Sequence, residues 1–179
     1  MNYEGKKIPN IVFMYREGDE EPEEGGCPIG GQFVPTTADQ LFGGKRVIVF
    51  SLPGAFTPTC STYQLPGFEK MYDEFLAMGI DEIYCSSVND GFVMNAWKKA
   101  VGIQKVKIIP DGNGSFCGRL GSFADFTELG FGMRSKRFAV VLKDGVVEKF
   151  FPEPNSSETD PDPYGVSSPE NIMEYLKSL

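Results

Sequence analysis

Cys60 closes the string Pro53-Gly54-Ala55-Phe56-Thr57-Pro58-Thr59-Cys60, set between an apolar run and an amphipathic pattern. The run Arg46-Val47-Ile48-Val49-Phe50-Ser51-Leu52 reads as a strand. The pattern after Cys60 puts Phe68, Tyr72, Phe75 and Leu76 on one helical face, with Gly79 as its stop. A strand–loop–helix junction aims backbone N–H groups and the positive helix end at whatever lies there. A thiol so placed is shifted toward thiolate, the form that attacks. Thr57 is a good N-cap and Pro58 suits the first helical position, so Cys60 falls in the first turn. Two roles are open to the Thr57 hydroxyl: capping a backbone N–H, or bonding the sulfur and a substrate oxygen.

The rest of the composition narrows the chemistry. None of the 179 residues is histidine, which removes Cys-His hydrolases, histidine-ligated metals and histidine general bases. Cys27, Cys60, Cys85 and Cys117 form no C-x-x-C pair, so neither a structural zinc nor a thioredoxin-type dithiol is expected. No metal or other cofactor is expected. The formal charge of −8 argues against a nucleic-acid partner. The start, Met1 to Lys7, carries no apolar stretch. Neither a signal peptide nor a membrane span is indicated, and a cytoplasmic protein with reduced thiols is the expectation.

These residues need elements to position them. With 41% apolar and 23% charged residues, one domain over 1–179 is expected. Ile8 to Tyr15 reads as an edge strand. The acidic, glycine-rich stretch that follows, within 16–34, reads as an exposed loop insertion. A short helix is predicted over 36–42 and strand 47–51 next. The helix over 58–78 is expected to be interrupted at Pro66-Gly67. Then come strand 82–88, a helix capped by Asn89 or Asp90 and stopped by Gly102, strand 107–109 and a short helix over 116–123. Strand 137–143 turns at Asp144-Gly145 into 146–151, and a Pro/Ser/Asp-rich loop leads to a last helix capped by Ser167 or Ser168. This order implies an α/β fold, a mixed central sheet flanked by helices. If strand 138–143 runs antiparallel to 47–51, Arg137 lies beside the Cys60 loop, with Arg134 as the alternative under a register shift.

Pro53, Thr57 and Cys60 in the spacing Pro-x-x-x-Thr-x-x-Cys resemble the peroxiredoxin signature. The longer string through Ser61, with Leu65-Pro66-Gly67-Phe68, Ser87-Val88-Asn89-Asp90 and Ala96-Trp97, resembles the type II (atypical) subfamily. Arg134-Ser135-Lys136-Arg137-Phe138 resembles the stretch bearing that family's active-site arginine, which falls on Arg137. The resemblance implies a thioredoxin-like fold with an N-terminal β extension, no metal, and thiol-dependent reduction of hydrogen peroxide and organic hydroperoxides. Cys60 would attack the peroxide and become a sulfenic acid. Arg137 would hold the peroxide oxygens and Pro53 would shield the pocket. The type II pattern often carries histidine before Leu-Pro-Gly; here Gln64 stands there, and the site is expected to work without it.

The resemblance also makes Cys85, 25 residues after Cys60, the candidate resolving thiol. The alternation of Ile83, Cys85 and Ser87 fits an inert core cysteine equally well. Cys27 and Cys117 carry no expected role. Reduction is expected from glutaredoxin with glutathione, or from thioredoxin, and a homodimer across Phe56, Phe92 and 129–132 is implied. Rival readings are a redox sensor or holdase, which needs only the reactive thiol, and a thiol–disulfide oxidoreductase, which the missing C-x-x-C disfavours.

Overall fold

A computed structural model describes residues 2–20, 26, 27, 29–155, 159, 160 and 162–179. β1 (Val12–Glu20) and β2 (Ile29–Thr37) form an antiparallel hairpin with Tyr15 opposite Val34. This corrects the loop expected within 16–34. Most side chains of both strands are exposed, so no alternation of buried and polar residues marks them in the sequence. Phe13 anchors the ribbon in the core, Asn95 donates to the Arg16 carbonyl at 2.8 Å, and the Arg16 side chain binds Asp19 and donates to the Gly30 carbonyl at 3.0 Å. The acidic residues 21–25 of that stretch lie outside the described residues.

Thr37 then caps α1 (Ala38–Phe42) in a capping box with Gln40. β3 (Arg46–Leu52) leads through Pro53 to Thr57 into the helical segment bearing Cys60. This segment does not break at Pro66-Gly67 as expected. It widens instead: Cys60–Gln64 is a π turn, in which Leu65 N–H donates to the Cys60 carbonyl, and Pro66 sits in the first turn of α2 (Leu65–Lys70). A proline ring collides with the carbonyl four residues back, and a wide turn just before it relieves that collision. The helix breaks one turn later, at Met71, before α3 (Tyr72–Ala77).

β4 (Glu82–Ser87), α4 (Gly91–Val101), β5 (Lys107–Pro110) and α5 (Ser115–Arg119) follow the predicted alternation. The helix expected over 116–123 is shorter, because β6 (Phe123–Phe126) begins a second hairpin with β7 (Gly132–Ser135). β8 (Phe138–Lys143) and β9 (Val146–Pro152) are joined by Asp144-Gly145, both at positive φ (51° and 72°), the backbone that a two-residue hairpin turn requires. Ser168 caps α6 (Pro169–Lys177).

The central sheet has the order β5-β4-β3-β8-β9. β3 is parallel to β4 and antiparallel to β8, with Ser51 opposite Phe138. Alternate residues of β3 feed two cores. Ile48, Phe50 and Leu52 face Cys60, Phe68, Trp97 and Ile172; Val47 and Val49 face Phe13, Phe42, Phe116 and Phe138. Phe68 stacks on Phe50 with ring centres 4.1 Å apart, so the helix behind Cys60 is pinned to the sheet. Burying one such ring contributes about 1.5–3 kcal/mol. No helix among the described residues is long and apolar enough to cross a membrane.

Candidate active site

The end of β3 and the start of β8 lie side by side in the sheet, and this brings Cys60 and Arg137 together. Both are buried, and Arg137 Nη1 lies 3.5 Å from Cys60 Sγ. Arg134, the alternative, instead ties loops together, donating to the carbonyls of Phe131 (3.0 Å) and Val88 (3.4 Å). Burial alone would pull the Arg137 guanidinium down. Its electrostatic and hydrogen-bond interactions with Cys60 and Asp162 outweigh burial and leave it raised, so it stays cationic across the working pH range.

The guanidinium is gripped from three directions. Nη1 also donates to Gln64 Oε1 at 2.6 Å, Nη2 donates to Asp162 Oδ1 at 2.6 Å, and the Tyr164 ring centre lies 5.7 Å from its carbon. Its buried Nε has no hydrogen-bond partner among the described residues. Gln64 in turn donates from Nε2 to Ser167 Oγ (3.3 Å). Ser167 donates its hydroxyl and its backbone N–H to Glu153 Oε1, at 2.8 and 2.7 Å. A buried chain Cys60–Arg137–Gln64–Ser167–Glu153 thus joins the reactive turn to the segment before α6. Gln64 was set aside in the sequence because it departs from a family habit. The available signal was its spacing: four residues after Cys60, it shares that residue's helical face.

The loop 53–57 is fixed from outside. Asn89 Oδ1 accepts from Ala55 N–H at 3.0 Å, and Asp90, rather than Asn89, caps α4. Thr57 gives its hydroxyl proton to the Gly54 carbonyl at 2.7 Å, so neither expected role describes its donor; its oxygen is left as an acceptor. A Cβ on Gly54 would lie 3.3 Å from both Arg134 Nη1 and Thr57 Cγ2, which is why only glycine fits without displacement. Trp97 packs beneath the turn and donates from Nε1 to Ser61 Oγ at 2.9 Å. Pro53 and Arg137 line one side of an open cavity of about 740 Å³ that also includes Phe126, Leu129, Pro154 and Asp162.

The other cysteines divide sharply. Cys85, in the middle of β4, is fully buried in the same core as Cys60. Burial first, then the charge of Cys60, pushes its thiol well up, so it is protonated in the folded protein. Cys117 is on the opposite face, its thiol pushed up to about 12 by burial and by Asp111. Cys27 is exposed on the hairpin, far from any of these contacts in sequence.

Residues 4–166 match the redoxin family. The chain is 51% identical to peroxiredoxin y4vD of Sinorhizobium fredii, over 97% of this chain and 92% of that one. It is 39% identical to the chloroplastic peroxiredoxin-2E of Arabidopsis thaliana, over 96% of this chain and 68% of the relative. Among solved structures, the antioxidant protein (1-Cys peroxiredoxin) of Plasmodium falciparum superposes with a TM-score of 0.86 at 34% identity, covering 98% of this chain and all of that one. Reduced Prx3 from Vibrio vulnificus in complex with hydrogen peroxide gives 0.81 at 35% identity, covering 98% and 99%. The mixed sheet and its flanking helices are accordingly thioredoxin-like. A buried cysteine against a guanidinium, with fold and sequence shared over almost the whole of this chain, places it in the peroxiredoxin family, of the type II kind, as a thiol-dependent peroxidase.

Proposed function

We propose that Cys60 is the peroxidatic residue and that Arg137, Thr57 and Pro53 form its frame. The observation that carries this reading is the 3.5 Å contact between Arg137 Nη1 and Cys60 Sγ in a buried site beside an open cavity. The thiolate attacks the terminal oxygen of a hydroperoxide in line with the O–O bond. An S–O bond forms, the O–O bond breaks, and sulfur loses two electrons to the leaving alkoxide or hydroxide, which then takes a proton to give alcohol or water. Cys60 becomes a sulfenic acid.

The frame matters more than thiolate supply. A free thiol is roughly 3% ionised at pH 7, so complete ionisation gains about thirtyfold. Part of that gain is lost, because nucleophilicity falls with pKa. The remaining acceleration has to come from donors aimed at the charge moving onto the leaving oxygen. Arg137 has its unspent Nε–H and a fixed cationic fork for this, and the first helical turn adds free backbone N–H groups. The Thr57 oxygen, its proton committed to Gly54, accepts from the hydroperoxide O–H. Pro53 walls the sulfur off from bulk water.

Cys85 resolves the sulfenic acid in this reading. It is held in the centre of β4, so Cys60 must travel to it, and the π turn 60–64 is the piece that opens. One observation favours a second reading: the Plasmodium relative is a 1-Cys peroxiredoxin, and an outside thiol resolves Cys60 directly if the same holds here. Glutaredoxin with glutathione, or thioredoxin, supplies the electrons, and a homodimer closes over the exposed Phe56, Phe92, Leu129 and Phe131.

The test is a single peroxide pulse followed by a 1,3-dicarbonyl trap for sulfenic acid, digestion and mass spectrometry. The adduct is expected on Cys60 and not on the exposed Cys27. Without the trap, a Cys60–Cys85 disulfide is expected. An adduct confined to another cysteine sinks the assignment of Cys60; a reduced Cys85 beside oxidised Cys60 transfers resolution to the outside thiol.

A further inference from the structure

Asp162 is the acidic side chain bound to Arg137, and the chemistry above leaves it without a task. It binds Nη2 at 2.6 Å while its side chain remains 46% exposed, so its carboxylate stands between Arg137 and solvent at the cavity. Glu153 and Gly165, which flank it in sequence, are themselves held. Glu153 N–H donates to the Arg137 carbonyl at 3.0 Å, and Glu153 Oε1 accepts from Gly165 N–H at 2.8 Å.

We propose that Asp162 is a specificity-determining residue that sorts hydroperoxides by charge, admitting neutral ones and turning away those whose tail carries an anion at the cavity. The inference rests on Arg137 and Cys60 receiving the peroxide as proposed above. An unpaired guanidinium would be the strongest attractor for anions on this face. A carboxylate at hydrogen-bond distance cancels that attraction at long range, since a close ion pair has no net charge. At short range the remaining N–H groups still donate to a neutral peroxide oxygen. The surroundings act in the same direction: four carboxylates (Asp125, Glu128, Glu153 and Asp162) line the cavity against two cations, Lys136 and Arg137. Lys136 donates to Asn155 Oδ1 at 2.8 Å, a neutral amide, so it keeps its charge, but one ammonium is outnumbered by the cavity's carboxylates. Pro53, Phe126, Leu129, Pro154 and Pro163 supply apolar wall that fits an uncharged organic tail better than an anionic one.

The experiment compares kcat/KM for cumene hydroperoxide and its para-carboxylate analogue in wild type and Asp162→Asn. Asparagine keeps the shape and the oxygen that accepts from Nη2 but removes the charge. The ratio of the carboxylate's kcat/KM to that of the neutral compound is expected to rise on the order of tenfold, the size of one unit charge at partly solvated range. The rise should shrink as salt is added, by screening. An unchanged ratio overturns the proposal, whether both constants hold or both fall together; the latter makes Asp162 only a support for Arg137. Arg137→Gln and Arg137→Lys, assayed on the same pair, separate the two levels. If they depress both substrates while Asp162→Asn leaves the ratio alone, the charge sorting fails and the frame stands. If they leave both substrates at the wild-type rate, the frame fails and the sorting with it.

Discussion

Cys60→Ser is expected to leave no peroxide turnover above the uncatalysed rate, a loss on the order of 10⁴-fold or more in kcat/KM, as when other enzymes lose their nucleophile. Serine differs from cysteine by one atom, and in this buried site Arg137 Nη1 is placed to donate to the new oxygen, so the fold should survive. What is lost is the nucleophile. A serine hydroxyl stays protonated where a thiol ionises, and its oxygen attacks an O–O bond poorly. Arg137 Nη1 would still have an oxygen to bind in place of sulfur, so the pocket keeps its shape while the chemistry stops. Peroxide consumption with dithiothreitol as reductant measures this directly, with circular dichroism as the control for folding. Residual turnover above about a hundredth of wild type would point to a second reactive thiol. Cys27, the exposed cysteine, is the one to replace next.

Removal of the guanidinium is expected to have the second largest effect. Arg137→Gln should lower kcat/KM by about 10²–10³, the usual cost of losing a donor aimed at transition-state charge. The loss should fall mainly on the attack step, seen as a slower single-turnover oxidation in stopped flow. Arg137→Lys should recover little. An ammonium is a point charge and cannot span Cys60, Gln64 and Asp162 at once, as the planar fork does. Because Arg137 is held cationic, its own titration does not enter the pH–rate profile. A twofold change or less for either variant would remove Arg137 from the frame.

Legibility in the sequence followed the range of the interaction. Caps and turns were readable where a few neighbouring residues decide them: Asp90 as one of two candidates, Ser168 likewise, and Asp144-Gly145. So was the meeting of Arg137 with Cys60, because the antiparallel register of two well-patterned strands dictates it. The hairpin of β1 and β2 was not. Both its faces are largely wet, and an acidic strand with glycines has the composition of a loop. β6 and β7 are four residues each, too short for a period to show. At the site, Gln64 was visible but undervalued. Ser167, Glu153 and Asp162 were invisible, because nothing local marks a serine or a carboxylate that meets its partner only after the chain has doubled back. Pro66 was read as a break when its effect was a widening, since the collision it causes can be relaxed in the turn before it.

The chain has a single tryptophan, and its indole is hydrogen-bonded to Ser61, the residue next to Cys60. All indole emission therefore originates beneath the turn that opens if Cys85 is to reach Cys60. When Ser61 departs, the ring loses its partner and its shelter, and both intensity and colour should change without any added dye. A rapid-mixing trace at limiting peroxide would then show sulfur oxidation and turn opening as separate phases, timed by the protein's own fluorescence.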